Sequence, residues 1–383
     1  MKSYKETTPR FLLKDQLFHK KNVTDLATRI QIAYPKFKKR AFINRVVKKF
    51  PELELKERIV WITHNLDHYI PESYQNTVKI LLASLPDELD SEQTDDDFGE
   101  FINAPCAHYV ATKGLEYENR KYLAFSLQAL REITKRFSAE DAIRYFINAH
   151  PDETFTFLET CMRDKNYHVR RLASEGTRAS LPWCQNITTD YKRPMKILDT
   201  LHADKTRYVT RSVANHMNDL SKIDPMFVIQ TLKRWKKEHK QKTEELDFIA
   251  KHSLRTLVKQ GNKEALKLLG YKKPAISIES FNPGNKKINI GDNYDFSFTV
   301  CSEAKKSQLL LINYIMYFLK KDGSSSTKTF KITRSELESD KCLEFNKIHR
   351  MKSMSTKTLY PGEHKIELQI NGEKYKTATF TLL

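Results

Sequence analysis

Apolar residues recur at spacings of three and four through the first 270 positions, then give way to short, largely alternating runs. The first period is that of a helix with one buried stripe, and the second that of a strand with one buried face. The helical pattern is clearest in residues 41–50, 76–85, 122–137 and 225–235. Pro51, Pro71, Pro86, Pro151, Pro182, Pro225 and Gly261 punctuate it, as residues that end or open helices. Lys272, Lys273 and Pro274 close the helical part. Strands are predicted at 288–300, 309–319, 327–332, 364–370 and 374–382. Asn371-Gly372 lies between the last two and is a strong hairpin signal, because both turn positions accept positive φ. Asp322-Gly323 marks a second turn. About seven short strands over this length suggest a sandwich of immunoglobulin type without the disulfide. The expected architecture is multidomain: an all-α HEAT-like repeat solenoid over residues 1–270, followed by an all-β immunoglobulin-like sandwich over 271–383.

The HEAT expectation rests on an internal repeat. Residues 164–173 align with residues 204–213 at a shift of 40, with Asp164/Asp204, Lys165/Lys205, Val169/Val209 and Arg171/Arg211 coinciding. The Arg register recurs loosely at Arg131 and Arg255, giving steps of 40, 40 and 44. That period is typical of helix pairs that bury their core only by stacking on neighbours. Asp164 is expected to cap the helix that Val169 enters. On that helix Val169, Leu172, Ala173 and Gly176 form the inward stripe, and Arg171, Ser174, Glu175 and Arg178 form a polar stripe at i, i+3, i+4, i+7. One repeat on, the polar stripe continues as Arg211, Ala214, Asn215 and Asn218. It lines either the concave surface of a solenoid or an ordinary solvated face.

Composition narrows the function. The chain has 66 Lys and Arg against 48 Asp and Glu, a formal net charge of +18, and both parts are basic: +11 over residues 1–270 and +7 over 271–383. A polyanion partner, first of all nucleic acid, fits this balance. The exception is 87–100, with eight acids and no base, expected as an exposed loop. Only 10 glycines occur, with no GxGxxG or GxxxxGK[ST], which argues against a dinucleotide or P-loop enzyme. Cys106, Cys161, Cys184, Cys301 and Cys342 are odd in number and widely spaced. No disulfide framework or CxxC metal site is expected, and a reducing, cytoplasmic location fits. Met1 to Lys14 lacks signal-peptide character, and the longest apolar run, 309–319, is too short to span a membrane. His64 and His68 stand at i, i+4 without a third ligand, so no metal is expected.

The stretch from Asn166 to Trp183 resembles the bacterial alkylpurine DNA glycosylases of the HEAT-like repeat type, the AlkC branch more than AlkD. Residues 134–144, 208–219 and 252–258 support the resemblance, which spans about residues 10–270. Some AlkC proteins carry an appended immunoglobulin-like domain, and the strand-rich tail is similar to that arrangement. The resemblance implies excision of cationic N-alkylated bases such as 3-methyladenine and 3-methylcytosine from duplex DNA. It further implies that the lesion is not flipped into a pocket, unlike in most glycosylases.

Such a base already carries positive charge and leaves without being protonated. The enzyme must stabilise oxocarbenium character at the deoxyribose and direct a water, which a nearby carboxylate does by fixed charge and as general base. An aromatic face assists a cationic sugar or base. By resemblance, Glu175, Trp183 and Glu140 match the family's active-site residues, with Arg171 and Arg178 keeping Glu175 ionised. The competing readings are an intrahelical salt bridge for Glu175, inter-repeat packing for Trp183, and a helix N-terminal charge for Glu140 with Ser138 as cap. Arg170, Arg171, Arg178 and Arg211 are the expected phosphate contacts, with Asn215 and Asn218 adding neutral hydrogen bonds. Cys184 reads as packing. The expected partner is double-stranded DNA containing alkylated bases, with no cofactor and no membrane, bound by a monomer. The alternatives are a non-catalytic HEAT-repeat DNA-binding protein, which has no need of Glu175 together with Trp183, and a protein scaffold, which predicts no salt-sensitive DNA binding.

Overall fold

A computed structural model of the chain describes residues 12–89, 98–117, 120–353 and 358–383. Residues 90–97, the centre of the acidic run, and residues 1–11 of the N-terminal segment lie outside the described residues. Among the described residues the helices are α1 (Leu13–Leu17), α2 (Lys20–Ala33), α3 (Lys39–Lys48), α4 (Leu55–Tyr69), α5 (Tyr74–Ala83), α6 (Ala104–Leu115), α7 (Leu123–Thr134) and α8 (Glu140–Ala149). They continue as α9 (Pro151–Cys161), α10 (Tyr167–Glu175), α11 (Met195–Leu201), α12 (Arg207–Leu220), α13 (Pro225–Glu238), α14 (Thr243–Ser253), α15 (Arg255–Lys259) and α16 (Lys263–Leu268). The strands are β1 (Ile276–Asn282), β2 (Lys287–Ile288), β3 (Asn293–Ser302), β4 (Gln308–Leu319), β5 (Ser325–Leu337), β6 (Cys342–Arg350), β7 (Gly362–Ile370) and β8 (Glu373–Leu382).

The helices form where the period-3.6 pattern places them. α8 buries Ala142, Ile143, Phe146 and Ile147, carries Glu140 and Asp141 in its first turn, and ends at His150 before Pro151. Pro151 then opens α9, where its missing N–H costs nothing. α10 starts at Asn166, whose side chain accepts from the His168 amide at 2.9 Å. The cap is therefore Asn166, not Asp164. Asp164 Oδ1 accepts the Asn166 amide at 2.8 Å, while its other oxygen takes the Arg131 Nε–H at 2.7 Å. The repeat reuses this device: Asp204 accepts the Thr206 amide at 2.8 Å and binds Arg170, and Arg207 binds Glu245 at 2.9 Å. Neighbouring repeats are thus tied by a ladder of arginine–carboxylate pairs, each 33 to 38 residues apart in sequence.

The strands make two sheets, a three-stranded one in the order β1-β3-β6 and a five-stranded one in the order β2-β8-β7-β4-β5. Their inner faces share a core containing Tyr294, Phe296, Phe298, Leu310, Ile312, Tyr314, Leu368 and Phe380. Asn371 and Gly372 turn the β7–β8 hairpin with φ of 48° and 83°, as the dipeptide predicts. The expectation of a sandwich without a disulfide is corrected. The β3–β6 register sets Cys301 opposite Cys342 with Cα atoms 4.1 Å apart, and the two sulfurs are bonded. Spacing along the chain conceals this, because strand pairing rather than sequence separation brings the two residues together. The bridge joins neighbouring strands of one sheet.

The change from helix to strand at about residue 270 coincides with the change of sequence period. The compact units divide elsewhere: Met1–Asp219 with His239–Ile249 form one and Leu220–Glu238 with Ala250–Leu383 the other, so the change of period falls inside the second. In the second unit Leu266 of α16 clusters with Tyr271 and Leu311, flanked by Val258, Leu269 and Leu309. Gly261 and Gly372 meet there so closely that a Cβ on Gly372 would lie 2.8 Å from the Gly261 carbonyl oxygen.

Candidate active site

The apolar stripe of α10 is fully buried at Val169, Leu172 and Ala173, as the periodicity requires. The polar stripe departs from expectation: Ser174, Glu175 and Arg178 are buried as well, and Arg171 is nearly so. α12 covers them. Ser212 of α12 donates to Glu175 Oε2 at 2.6 Å and meets Ser174 Oγ at 3.0 Å. His216 contacts the Ser174 carbonyl through Nδ1 at 3.1 Å, and burial lowers its pKa to about 4, so the ring is neutral at pH 7. Arg178 gives Nη1 to Glu175 at 2.6 Å and Nε to Asp219 at 2.8 Å.

Arg171 is the hub. Its Nη1 donates to Glu140 at 2.9 Å and to Ser138 Oγ at 2.9 Å, Nη2 stands 3.8 Å from Glu175, and the guanidinium lies 4.4 Å from the centre of the Tyr208 ring. Ser138 also hydrogen bonds Glu140, so it serves that carboxylate rather than capping the α8 backbone; the residue before the helix is Ala139. The two carboxylates flanking Arg171 move in opposite directions. Burial favours the neutral form of both. At Glu175 the charges of Arg171 and Arg178 and the Ser212 hydroxyl overcome it, and the pKa falls below the ordinary value. At Glu140 burial and the like charge of Glu175 outweigh Arg171, and the pKa rises.

Glu140 faces a cavity of about 150 Å³. Its wall includes Lys56, His108, Phe137, Asp141 and Cys184, and Trp183 stands at its rim. Trp183 is 59% exposed and has φ of 68°, a left-handed conformation that a bulky L-residue adopts only when its surroundings enforce it. Inter-repeat packing therefore does not describe this tryptophan. The Cys184 thiol is pushed up by burial and by Asp141, which makes it a poor nucleophile. The His108 pKa is lowered by burial.

Of the expected phosphate-binding arginines, three are already engaged. Arg170 is 8% exposed and spends its donors on Asp204, Thr206 and the Asp164 and Lys165 carbonyls. Arg171 and Arg178 are held by Glu140, Glu175 and Asp219. The physical reason is repeat stacking: the next repeat supplies Asp204 to Arg170 and Asp219 to Arg178, and the preceding one supplies Glu140 to Arg171. Arg211 is half-buried near the Tyr208 ring, Asn215 is half-buried and Asn218 is buried. Sequence reasoning missed Ser212, Asp219, Tyr208, Asp141 and His108. Asp219 and Tyr208 had a signal, since both lie in the second repeat at positions facing Arg178 and Arg171. His64 and His68 lie against Trp61 and Tyr69.

The class this defines is a HEAT-like repeat chain with a carboxylate–arginine cluster beside an exposed tryptophan, joined to an immunoglobulin-like domain. Residues 277–383 match the family model described as uncharacterised protein YhaZ, C-terminal Ig-like domain. The chain is 31% identical over 363 residues to the uncharacterized protein YhaZ of Bacillus subtilis, covering 94% of this chain and 96% of that one. Among solved structures it is similar to the Pseudomonas fluorescens alkylpurine DNA glycosylase AlkC bound to DNA containing an abasic site analog. The TM-score is 0.86 at 31% identity, over 97% of this chain and all of that one. The chain belongs to the AlkC family of alkylpurine DNA glycosylases.

Proposed function

We propose that this protein hydrolyses the N-glycosidic bond of cationic N-alkylated bases, 3-methyladenine and 3-methylcytosine, in duplex DNA, leaving the base in the stack. The observation that carries this reading is the Glu140–Arg171–Glu175 cluster, with Glu140 on a cavity whose rim holds Trp183. As the C1′–N bond breaks, its electron pair passes to the base, which departs neutral. Positive charge develops on the deoxyribose. Glu140 and Trp183 meet that charge, one by its carboxylate and the other by its ring face. Glu140 then takes a proton from the water that adds to C1′. The raised pKa of Glu140 suits a general base, and the depressed pKa of Glu175 suits a fixed anion that keeps Arg171 in place. No lysine forms a Schiff base in this scheme, so the product is an abasic site without strand cleavage and the enzyme is monofunctional. It works without cofactor, as a monomer. The test is base release from methylated duplex DNA in the presence of EDTA. Free 3-methyladenine with intact strands supports the reading, whereas no release, or release lost on chelation, overturns it.

A further inference from the structure

We infer that Arg144 is a positioning residue that sets Trp183 against Glu140, by clamping both ends of the loop that carries the tryptophan. The inference rests on the role given to Trp183 above. Glu140, Arg144 and Asn148 stand at i, i+4 and i+8 of α8 and so share one face of that helix. Glu140 addresses the cavity. Arg144, fully buried, donates Nη1 to the Gly176 and Arg178 carbonyls at 3.1 and 2.7 Å, and Nε to the Gln185 carbonyl at 2.6 Å. Asn148 extends the clamp, giving Nδ2 to the Asn186 carbonyl at 2.9 Å and accepting the Thr188 amide at 3.2 Å. One helix face therefore fixes the carboxylate and both ends of the 176–188 segment.

Three features argue that this is more than packing. The Arg144 guanidinium is buried against carbonyl oxygens rather than a carboxylate, and among the described residues its Nη2 has no hydrogen-bond partner. Burying a cation this way is costly, so it does not serve to stabilise the fold cheaply. The segment it holds contains the positive φ of Trp183, a conformation that must be imposed. Finally, α8 meets the start of the loop without a gap, since a Cβ on Gly176 would come 2.5 Å from Ile143 Cγ2. A shift of α8 is thus transmitted to the loop.

The experiment is a double-mutant cycle on single-turnover base release at saturating methylated DNA. The variants of the full chain are Arg144→Lys, Trp183→Ala and both together, with thermal melts and acrylamide quenching of tryptophan fluorescence alongside. Lysine keeps the charge but cannot span three carbonyls. Arg144→Lys is expected to slow release by about 10- to 100-fold, the scale of a displaced catalytic group, and to alter quenching of the exposed tryptophan. In the Trp183→Ala background it is expected to slow release no further. Equal slowing in both backgrounds, or none in the native one, overturns the clamp. If Arg144→Lys does not fold, Asn148→Ala at the half-buried end of the clamp takes its place, with a smaller loss that must likewise vanish without Trp183. A Trp183→Ala chain that releases base at the full rate removes the role given to Trp183, and the clamp with it. A slow Trp183→Ala beside a full-rate Arg144→Lys removes the clamp alone.

Discussion

Glu140 and Glu175 differ more than their shared arginine suggests, and variants should separate them. Glu140→Gln and Glu175→Gln are each expected to slow base release by about two to three orders of magnitude, the scale of a preorganised electrostatic group. Affinity for abasic-site DNA should change far less. Stability should split the pair. Glu175 has a folded pKa below its unfolded one, so its contribution is present above the unfolded value and is lost as pH falls through the folded one. Glu175→Gln should therefore cost about 1–3 kcal/mol at pH 7 in denaturant melts. Glu140 has a raised folded pKa, so its ionisation opposes folding, and Glu140→Gln should cost little at pH 7. The same shift fixes the pH profile: release needs ionised Glu140, so the rate should climb with pH through that raised pKa and level off above it. A profile that falls with rising pH across that range would contradict Glu140 as the base. Arg170→Ala makes a third contrast. It leaves Asp204 buried without its cation, so a loss of about 3–5 kcal/mol is expected, with the salt dependence of DNA binding unchanged.

At the scale of elements, the junction of α8 and α10 is the tightest feature near the site. Gly176→Ala drives a methyl into Ile143 and toward the Leu172 carbonyl, so about 1–3 kcal/mol of overpacking is expected in chemical denaturation. Base release should slow as well, because the loop is displaced, and adding Ile143→Ala should recover part of that rate by giving the loop its room back. In the sandwich, the bond between β3 and β6 has a chemical signature. Thiol titration of the unfolded, unreduced chain should find the three thiols of Cys106, Cys161 and Cys184. Finding five would remove the bridge. Reduction should lower the stability of the sandwich by about 2–4 kcal/mol.

For the whole molecule, the extent of the second compact unit, which spans the change of sequence period, changes what a truncation does. A cut after Gly270 follows the change of sequence period, but it strips Tyr271, Leu309 and Leu311 from Leu266 and removes Thr329, whose hydroxyl donates to the Lys259 carbonyl at 3.0 Å. Repeat arrays owe much of their stability to nearest neighbours, and here β4 and β5 act as neighbours of α15 and α16. The truncated chain is expected to keep α1–α12 folded while α15 and α16 fray. Hydrogen exchange should show their amides unprotected and the α8 and α10 amides unchanged. Full protection in α15 and α16 would mean that the helices need no support from the strands.

The hydrophobic period by itself determined the helical and stranded parts, the Asn371-Gly372 dipeptide the hairpin, and identities recurring at a shift of 40 the repeat, because each is written in the linear pattern. The family resemblance, and not the period alone, singled out Glu175 and Trp183 through the run from Asn166 to Trp183 and Glu140 through residues 134–144. Missing from the period were β1, with its irregular burial, and β6, whose alternation is of exposed and half-buried residues. Tertiary structure alone decided which charges cancel. Arg170, Arg171 and Arg178 read as a basic surface along one helix, and they become interior groups once neighbouring repeats bring Asp204, Glu140 and Asp219 against them. The same holds for Cys301 with Cys342 and for Arg144 with the Trp183 loop. Partners 32 to 41 residues apart are set by strand register and helix stacking, which no local pattern encodes.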